Sequence, residues 1–75
     1  MLSFIQYIKK QYKRYDRVGD LARDVRADRK LSKNIKTAEE FKNYVVKRNG
    51  HIITKVSDTI DAAFLEYKNY YKKAG

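Results

Sequence analysis

Lysine and arginine threaded with tyrosine supply the chemistry this chain offers. Lys9, Lys10, Lys13, Arg14 and Arg17 lie near one end, and Lys68, Lys72 and Lys73 near the other. Tyr7, Tyr12, Tyr15, Tyr67, Tyr70 and Tyr71 are interleaved with them. Cationic side chains neutralise phosphates, and an exposed tyrosine ring stacks on an unpaired base. The pattern points to a polyanion, with single-stranded nucleic acid foremost. Eighteen Lys and Arg against nine Asp and Glu leave a formal net charge of +9. Residues 1–17 carry +4 of it and residues 67–75 carry +3. A field of that sign attracts phosphate backbones or acidic protein surfaces. The eight cations named above are the expected phosphate contacts. Tyr12, Tyr44 and Tyr67 fall on apolar helical stripes and are expected in the core. Tyr7, Tyr15 and Tyr70 fall off the stripes, and Tyr15 and Tyr70 are the expected stacking residues.

Other chemistries find little support. There is no cysteine, and lone His51 cannot assemble a zinc site, which takes about four ligands. Asp16, Asp20, Asp24 and Asp28 recur every four residues and would line one helical face. Arg23, Arg26 and Arg29 are interspersed, so ion pairs are the better reading than a Mg²⁺ or Ca²⁺ site. Ser3, Ser32 and Ser57 lack a nucleophile context, and no Walker or Rossmann glycine pattern occurs. The expectation is no enzyme activity, no cofactor, no metal and no small-molecule substrate. No apolar run approaches the ~18 residues of a membrane span. The opening Met-Leu-Ser-Phe-Ile is short for a secretory segment, and Lys9 and Lys10 follow it. A cytoplasmic protein is expected.

The elements that must position these residues read as all helical, in one domain over residues 1–75. Proline is absent, and Gly19, Gly50 and Gly75 are the only glycines. A first helix is expected from Ser3, its N-cap, to Arg14, with Phe4, Ile8 and Tyr12 inward and Ile5 beside them. A second is expected from Val18 to Arg29 after Asp16, burying Val18, Leu21, Ala22 and Val25. The missing side chain of Gly19 lets a neighbour approach closely. Residues 29–36 read as a loop with four cations, Arg29, Lys30, Lys33 and Lys36, pinned by Leu31 and Ile35. Thr37-Ala38-Glu39-Glu40 is a capping box for a third helix that Asn49-Gly50 stops. Residues 51–57 fit a helical turn or an extended connection. Ser57, Asp58 or Thr59 then caps a fourth helix to about Lys72, with Ile60, Ala63, Phe64, Tyr67 and Tyr71 as its core stripe. The roughly eight-residue joint between the second and third helices is long for a helix-turn-helix.

These residues resemble a family. Ser3-Phe4 with Tyr7-Ile8, Gly19-Asp20-Leu21-Ala22-Arg23-Asp24, Tyr44 after Glu39-Glu40, and Thr59-Ile60-Asp61-Ala62-Ala63-Phe64 with Tyr67 look like the YozE SAM-like family. Its members are small proteins of Firmicutes and their mobile elements. The resemblance covers about residues 3 to 71 and rests on core and capping positions. It implies a compact four- to five-helix SAM-like bundle and carries over no catalytic residue. Leu31-Ser32 stands where the family often has Phe-Pro, and Phe64 where Trp is common. This chain is strongly basic where typical members are near neutral or acidic. That difference fits a version specialised for a polyanion or an acidic protein partner.

The expected function is a non-enzymatic nucleic-acid-binding module. It would serve as an accessory subunit of a larger DNA-replication or DNA-processing enzyme of a mobile element, such as a polymerase, primase or helicase. The alternative is a protein–protein adaptor that uses acidic and basic helix faces without nucleic acid. A third, weaker reading is an amphipathic protein of the membrane surface.

Overall fold

Ser3 starts the first helix by a reciprocal exchange. Its hydroxyl accepts from the Gln6 N–H at 3.2 Å, and the Gln6 side-chain oxygen accepts from the Ser3 N–H at 2.9 Å. Two free donors of the first turn are thereby satisfied. The computed structural model describes residues 2–32 and 34–74, and the side chains of all of these except 73 and 74. Lys33 therefore lies outside the described residues, as does the side chain of Lys73. Four helices follow in order: α1 (Phe4–Lys9), α2 (Arg17–Ala27), α3 (Ala38–Asn49) and α4 (Thr54–Ala74). The all-α expectation holds.

α1 stops at Lys9, well short of the expected Arg14. Beyond it the backbone tightens into three-residue turns, with Gln11 N–H on the Ile8 carbonyl at 2.9 Å and Arg14 N–H on that of Gln11 at 3.1 Å. The cause is tertiary. Arg23 of α2 donates to the carbonyls of Tyr12 at 2.7 Å and Arg14 at 2.9 Å, and Arg26 reaches that of Lys9 at 3.5 Å. Carbonyls left free at the end of the first helix and in the turn after it are taken by arginines of α2.

Asp16 caps α2 by accepting from the Gly19 N–H at 3.0 Å. α2 ends at Ala27, two residues before the expected Arg29, because Asp28 adopts an extended ψ of 102°. Its carboxylate accepts from the Lys30 N–H at 3.0 Å and from the Tyr44 hydroxyl at 2.7 Å. Thr37 caps α3 by accepting from the Glu40 N–H at 3.1 Å. Half of the expected box forms in the expected way, since the Glu40 carboxylate meets the Thr37 hydroxyl at 3.3 Å. Gly50 closes α3 at φ 81°, the left-handed conformation that favours glycine. α4 begins at Thr54, a turn earlier than Ser57, Asp58 or Thr59. The Ile53 carbonyl accepts from both Val56 and Ser57, so the first turn starts there. Thr59 instead turns inward, and its hydroxyl donates to the Lys55 carbonyl at 2.8 Å.

The core forms around α1. Phe4, Ile5 and Ile8, together with Ile60 of α4, lose essentially all exposure. The Phe4 ring meets Phe64 at 5.0 Å, Tyr67 at 5.6 Å and Phe41 at 6.2 Å, in edge or tilted geometry. Leu31 and Ile35 are buried and pin the basic loop, as expected. α4 packs against all three other helices, whereas α2 and α3 do not approach each other closely. The Cα radius of gyration is 11.7 Å.

Gly19 is the tightest point of the fold. A Cβ built there would lie 2.0 Å from the Arg14 carbonyl oxygen, inside any allowed contact. Glycine to alanine in a helix normally gains about 1 kcal/mol. Here the sign reverses, because backbone atoms must yield, and overpacking of this kind costs about 1–3 kcal/mol. Gly19→Ala is expected to lower the denaturant midpoint. A midpoint equal to or above wild type would mean that the turn at Arg14 approaches α2 less closely than this.

Candidate nucleic-acid interface

Tyr12 is the centre of the basic surface. Its ring is half-buried against the core, as expected for a residue on the stripe. The Arg26 guanidinium lies over its outer face at 4.0 Å, and the Lys13 ammonium sits 5.7 Å from the same ring. A cation over a tyrosine face is held by about 0.5–2 kcal/mol. Arg23 is anchored beside it on the Tyr12 and Arg14 carbonyls and pairs with Asp20. Lys9 and Lys10 at the end of α1 complete this surface, whereas Arg17 at the start of α2 lines a cleft with Asp20 and Asp24 on the other flank of that helix. Among the described residues, Lys9, Lys10, Lys13, Arg17 and Arg26 have no carboxylate within ion-pair distance.

Arg14 stands apart from the other sequence candidates. Its guanidinium donates to Glu66 at 2.7 Å and to Asp16, joining the turn to α4. These two carboxylates raise its pKa further, the Glu66 hydrogen bond most. The same contact holds the Asp16 carboxyl below the usual aspartate value, with the Gly19 N–H adding to it. Arg14 thus braces the surface, with its charge compensated.

The tyrosines divide. Tyr15 has no packing at all, at 103% relative exposure, between Arg14 and Arg17. Tyr70 is 57% exposed and leans on Tyr7 at 5.8 Å. Tyr7, expected to be free, is buried, with Tyr67 at 5.4 Å. Burial raises its hydroxyl pKa, and Glu66 adds to the effect. The reason is position: α1 is covered on the side that faces α4 as well as on its stripe. Tyr67 donates to the Leu2 carbonyl at 2.7 Å, and Tyr71 accepts from the Leu2 N–H at 2.8 Å. These α4 tyrosines hold the chain's beginning in place.

The two basic ends do not merge into one patch. Each helical residue advances about 100°, so Lys68 and Lys72 lie roughly 160° around α4 from Tyr70, which faces Tyr7. Both lysines are exposed, and Lys68 lies over the Phe64 ring at 5.6 Å. Their flank turns toward α3, where Lys42 pairs with Asp61 at 2.7 Å. The backbone of Lys73 belongs to α4, while its side chain lies outside the described residues.

Arg23 and Arg26 were missed as surface formers because they read as partners for the aspartates. The available signal was their spacing from Gly19, four and seven residues on, which places all three on one flank of α2. Asp24 and Asp28 lie across the helix from them, and Asp20 sits between the two flanks, paired with Arg23. Three of the four spaced aspartates are paired: Asp16 with Arg14, Asp20 with Arg23, and Asp28 with Arg48 at 2.9 Å. Among the described residues no group of three or more His, Cys, Asp or Glu side chains could hold a metal ion. No described helix is long and apolar enough to cross a membrane.

A family model described as the YozE SAM-like fold matches residues 3–69. The chain belongs to the YozE SAM-like family, and its helical bundle has that fold. No curated protein and no solved structure matches it.

The Tyr44 hydroxyl, and then the Lys30 N–H and the Arg48 charge, keep the Asp28 carboxyl below the ordinary aspartate value. Asp16 and Asp28 both titrate lower folded than unfolded. Their stabilisation is complete above the unfolded value near ~3.9 and is lost as pH falls through the folded values. The melting temperature should hold between pH 7 and pH 5 and fall below about pH 4, less steeply in Asp28→Asn. An equally steep fall in that variant would remove Asp28 as a contributor.

Proposed function

We propose that this YozE SAM-like protein is a non-enzymatic accessory module that holds a nucleic-acid strand by its phosphates, single-stranded DNA being favoured. It works beside a larger DNA-replication or DNA-processing enzyme of polymerase, primase or helicase type. One observation carries the reading. Four cations without carboxylate partners among the described residues, Lys9, Lys10, Lys13 and Arg26, surround the end of α1 and the turn after it. Asp24 and Asp28 lie across α2 from Arg26, and Asp20 is paired with Arg23, so these four cations keep their charge.

Unpaired cations attract a phosphate backbone without reading sequence. Tyr15 supplies a free ring beside them, which suits an unstacked base. Lys68 and Lys72 make a separate basic stretch near the end of α4, a second contact for a longer strand, and Lys73 follows them in sequence. A helix-borne readout of the major groove has weaker support, since the surface combines one helix end, a turn and a helix flank. The subunit role is part of the same proposal, and the sequence offers no recognisable nucleophile context that would favour a catalytic one. The adaptor alternative is favoured by a different observation, the segregation of acid and base on the two flanks of α2.

Labelled single- and double-stranded oligonucleotides, followed by anisotropy at two salt concentrations, test this. Single-strand affinity should fall with salt at a slope of about −0.7 per phosphate contacted. Lys10→Glu with Lys13→Glu should weaken every sequence alike, by on the order of tenfold or more. Tyr15→Ala should cost about 1–3 kcal/mol on single strands and little on duplex. Absence of binding at low salt would remove nucleic acid as the ligand.

A further inference from the structure

Three arginines lie around Tyr12, and two of them are already engaged. Arg14 is held by Asp16 and Glu66. Arg23 pairs with Asp20 and donates to the Tyr12 and Arg14 carbonyls. Arg26 differs. It is exposed, and among the described residues no carboxylate lies within ion-pair distance of it. One of its N–H groups reaches the Lys9 carbonyl at 3.5 Å, a long and weak contact. The other donors of its planar fork have no acceptor among the described residues.

The guanidinium is nevertheless held in place. Its carbon lies 4.0 Å from the centre of the Tyr12 ring. Tyr12 is packed against the core, and Arg23 fixes its carbonyl at 2.7 Å. The platform under Arg26 is therefore secured at both ring and backbone. Lys9, Lys10 and Lys13 have no such support. Each is a compact charge on a flexible stem and gives up rotamer freedom when it meets a phosphate. A fork settled on a ring beforehand loses less freedom and can take two phosphate oxygens side by side.

We propose that Arg26 is the anchor of the strand site. Its guanidinium, laid on Tyr12, takes one backbone phosphate in a two-pronged contact, and Tyr12 is the positioning residue that keeps it there. Lys9, Lys10 and Lys13 attract the neighbouring phosphates as point charges. The inference rests on the reading of this face as a strand site and adds an order among its cations, in which one arginine outweighs each lysine. A phosphate contact carries no base preference, so the anchor serves any sequence.

The probes are a labelled oligothymidylate and an abasic strand of the same length. Each is followed by anisotropy with the full-length protein at several salt concentrations. Arg26→Lys keeps the charge and loses the fork. Affinity should fall about fivefold on both strands, with the salt slope unchanged. Arg26→Gln removes the charge as well, so affinity should fall further and the slope should shrink by about 0.7. Lys10→Gln should shrink the slope equally but cost less affinity. Tyr12→Leu keeps every cation and an apolar side chain. It should weaken binding about threefold at an unchanged slope, whereas Tyr12→Phe keeps the ring face and should stay within about twofold of wild type. In ¹⁵N spectra the Arg26 Nε–H signal should move when either strand is added. The anchor role is overturned by wild-type affinity in Arg26→Lys, or by a loss in Arg26→Gln no greater than in Lys10→Gln. An Arg26 effect confined to oligothymidylate overturns it too, because it marks a base contact. Wild-type affinity in Tyr12→Leu removes Tyr12 as the positioning residue. All four results leave the strand site standing, while failure of the wild-type protein to bind either strand at low salt overturns both readings.

Discussion

A six-residue helix does not persist in water, since nucleation costs more than a single turn of hydrogen bonds returns. α1 exists because its side chains are sealed from three directions. Phe4 meets rings from α3 and α4, and Tyr7 meets two tyrosines of α4. α2 closes the remaining side, and Gly19 lets its backbone reach the Arg14 carbonyl in the turn that follows α1. α1 has little intrinsic stability and is the part most dependent on its neighbours. The other helices are arranged by the need to cover it.

That dependence also shapes the basic face. Because α1 ends early, the carbonyls of Lys9, Tyr12 and Arg14 point to where α2 can supply donors. Arg23 and Arg26 satisfy them, and in doing so they bring guanidinium charge onto the turn beside Lys13. The hydrogen bonds that terminate α1 therefore gather the cations. Asp16 and Glu66 hold Arg14 as a brace beneath them. Packing and electrostatics here share one set of contacts, so a change at either is felt by the other.

Much of the fold is legible in the chain. Ser3, Asp16, Thr37 and Gly50 mark helix ends through local chemistry, and each does so in the structure. Leu31 and Ile35 declare themselves as apolar residues in a charged loop. The misses have a common physical origin. The end of α1, the burial of Tyr7 and the roles of Arg23 and Arg26 depend on acceptors and rings from other helices. Sequence periodicity sees one helix at a time. The separation of Lys68 and Lys72 from the first basic cluster needs the rotation of α4 about its axis, which its contacts with α1 and α3 decide. Thr59 looks like a cap by type but is turned inward, because the chain after Gly50 starts its next turn at Ile53.

Leu2 is gripped from the far end of the chain, its carbonyl by Tyr67 and its amide by Tyr71. A ribosome makes the first residues first and the last residues last. While the chain is being made, α1 has neither Phe64 nor the tyrosines that cover it, and it waits exposed. The cover of α1 therefore depends on contacts between residues more than sixty positions apart, the kind whose loop closure is costly and slow. Without α4 the apolar side chains of Phe4, Ile5 and Ile8 lose much of their cover, and a net charge of +9 on every copy opposes association through them.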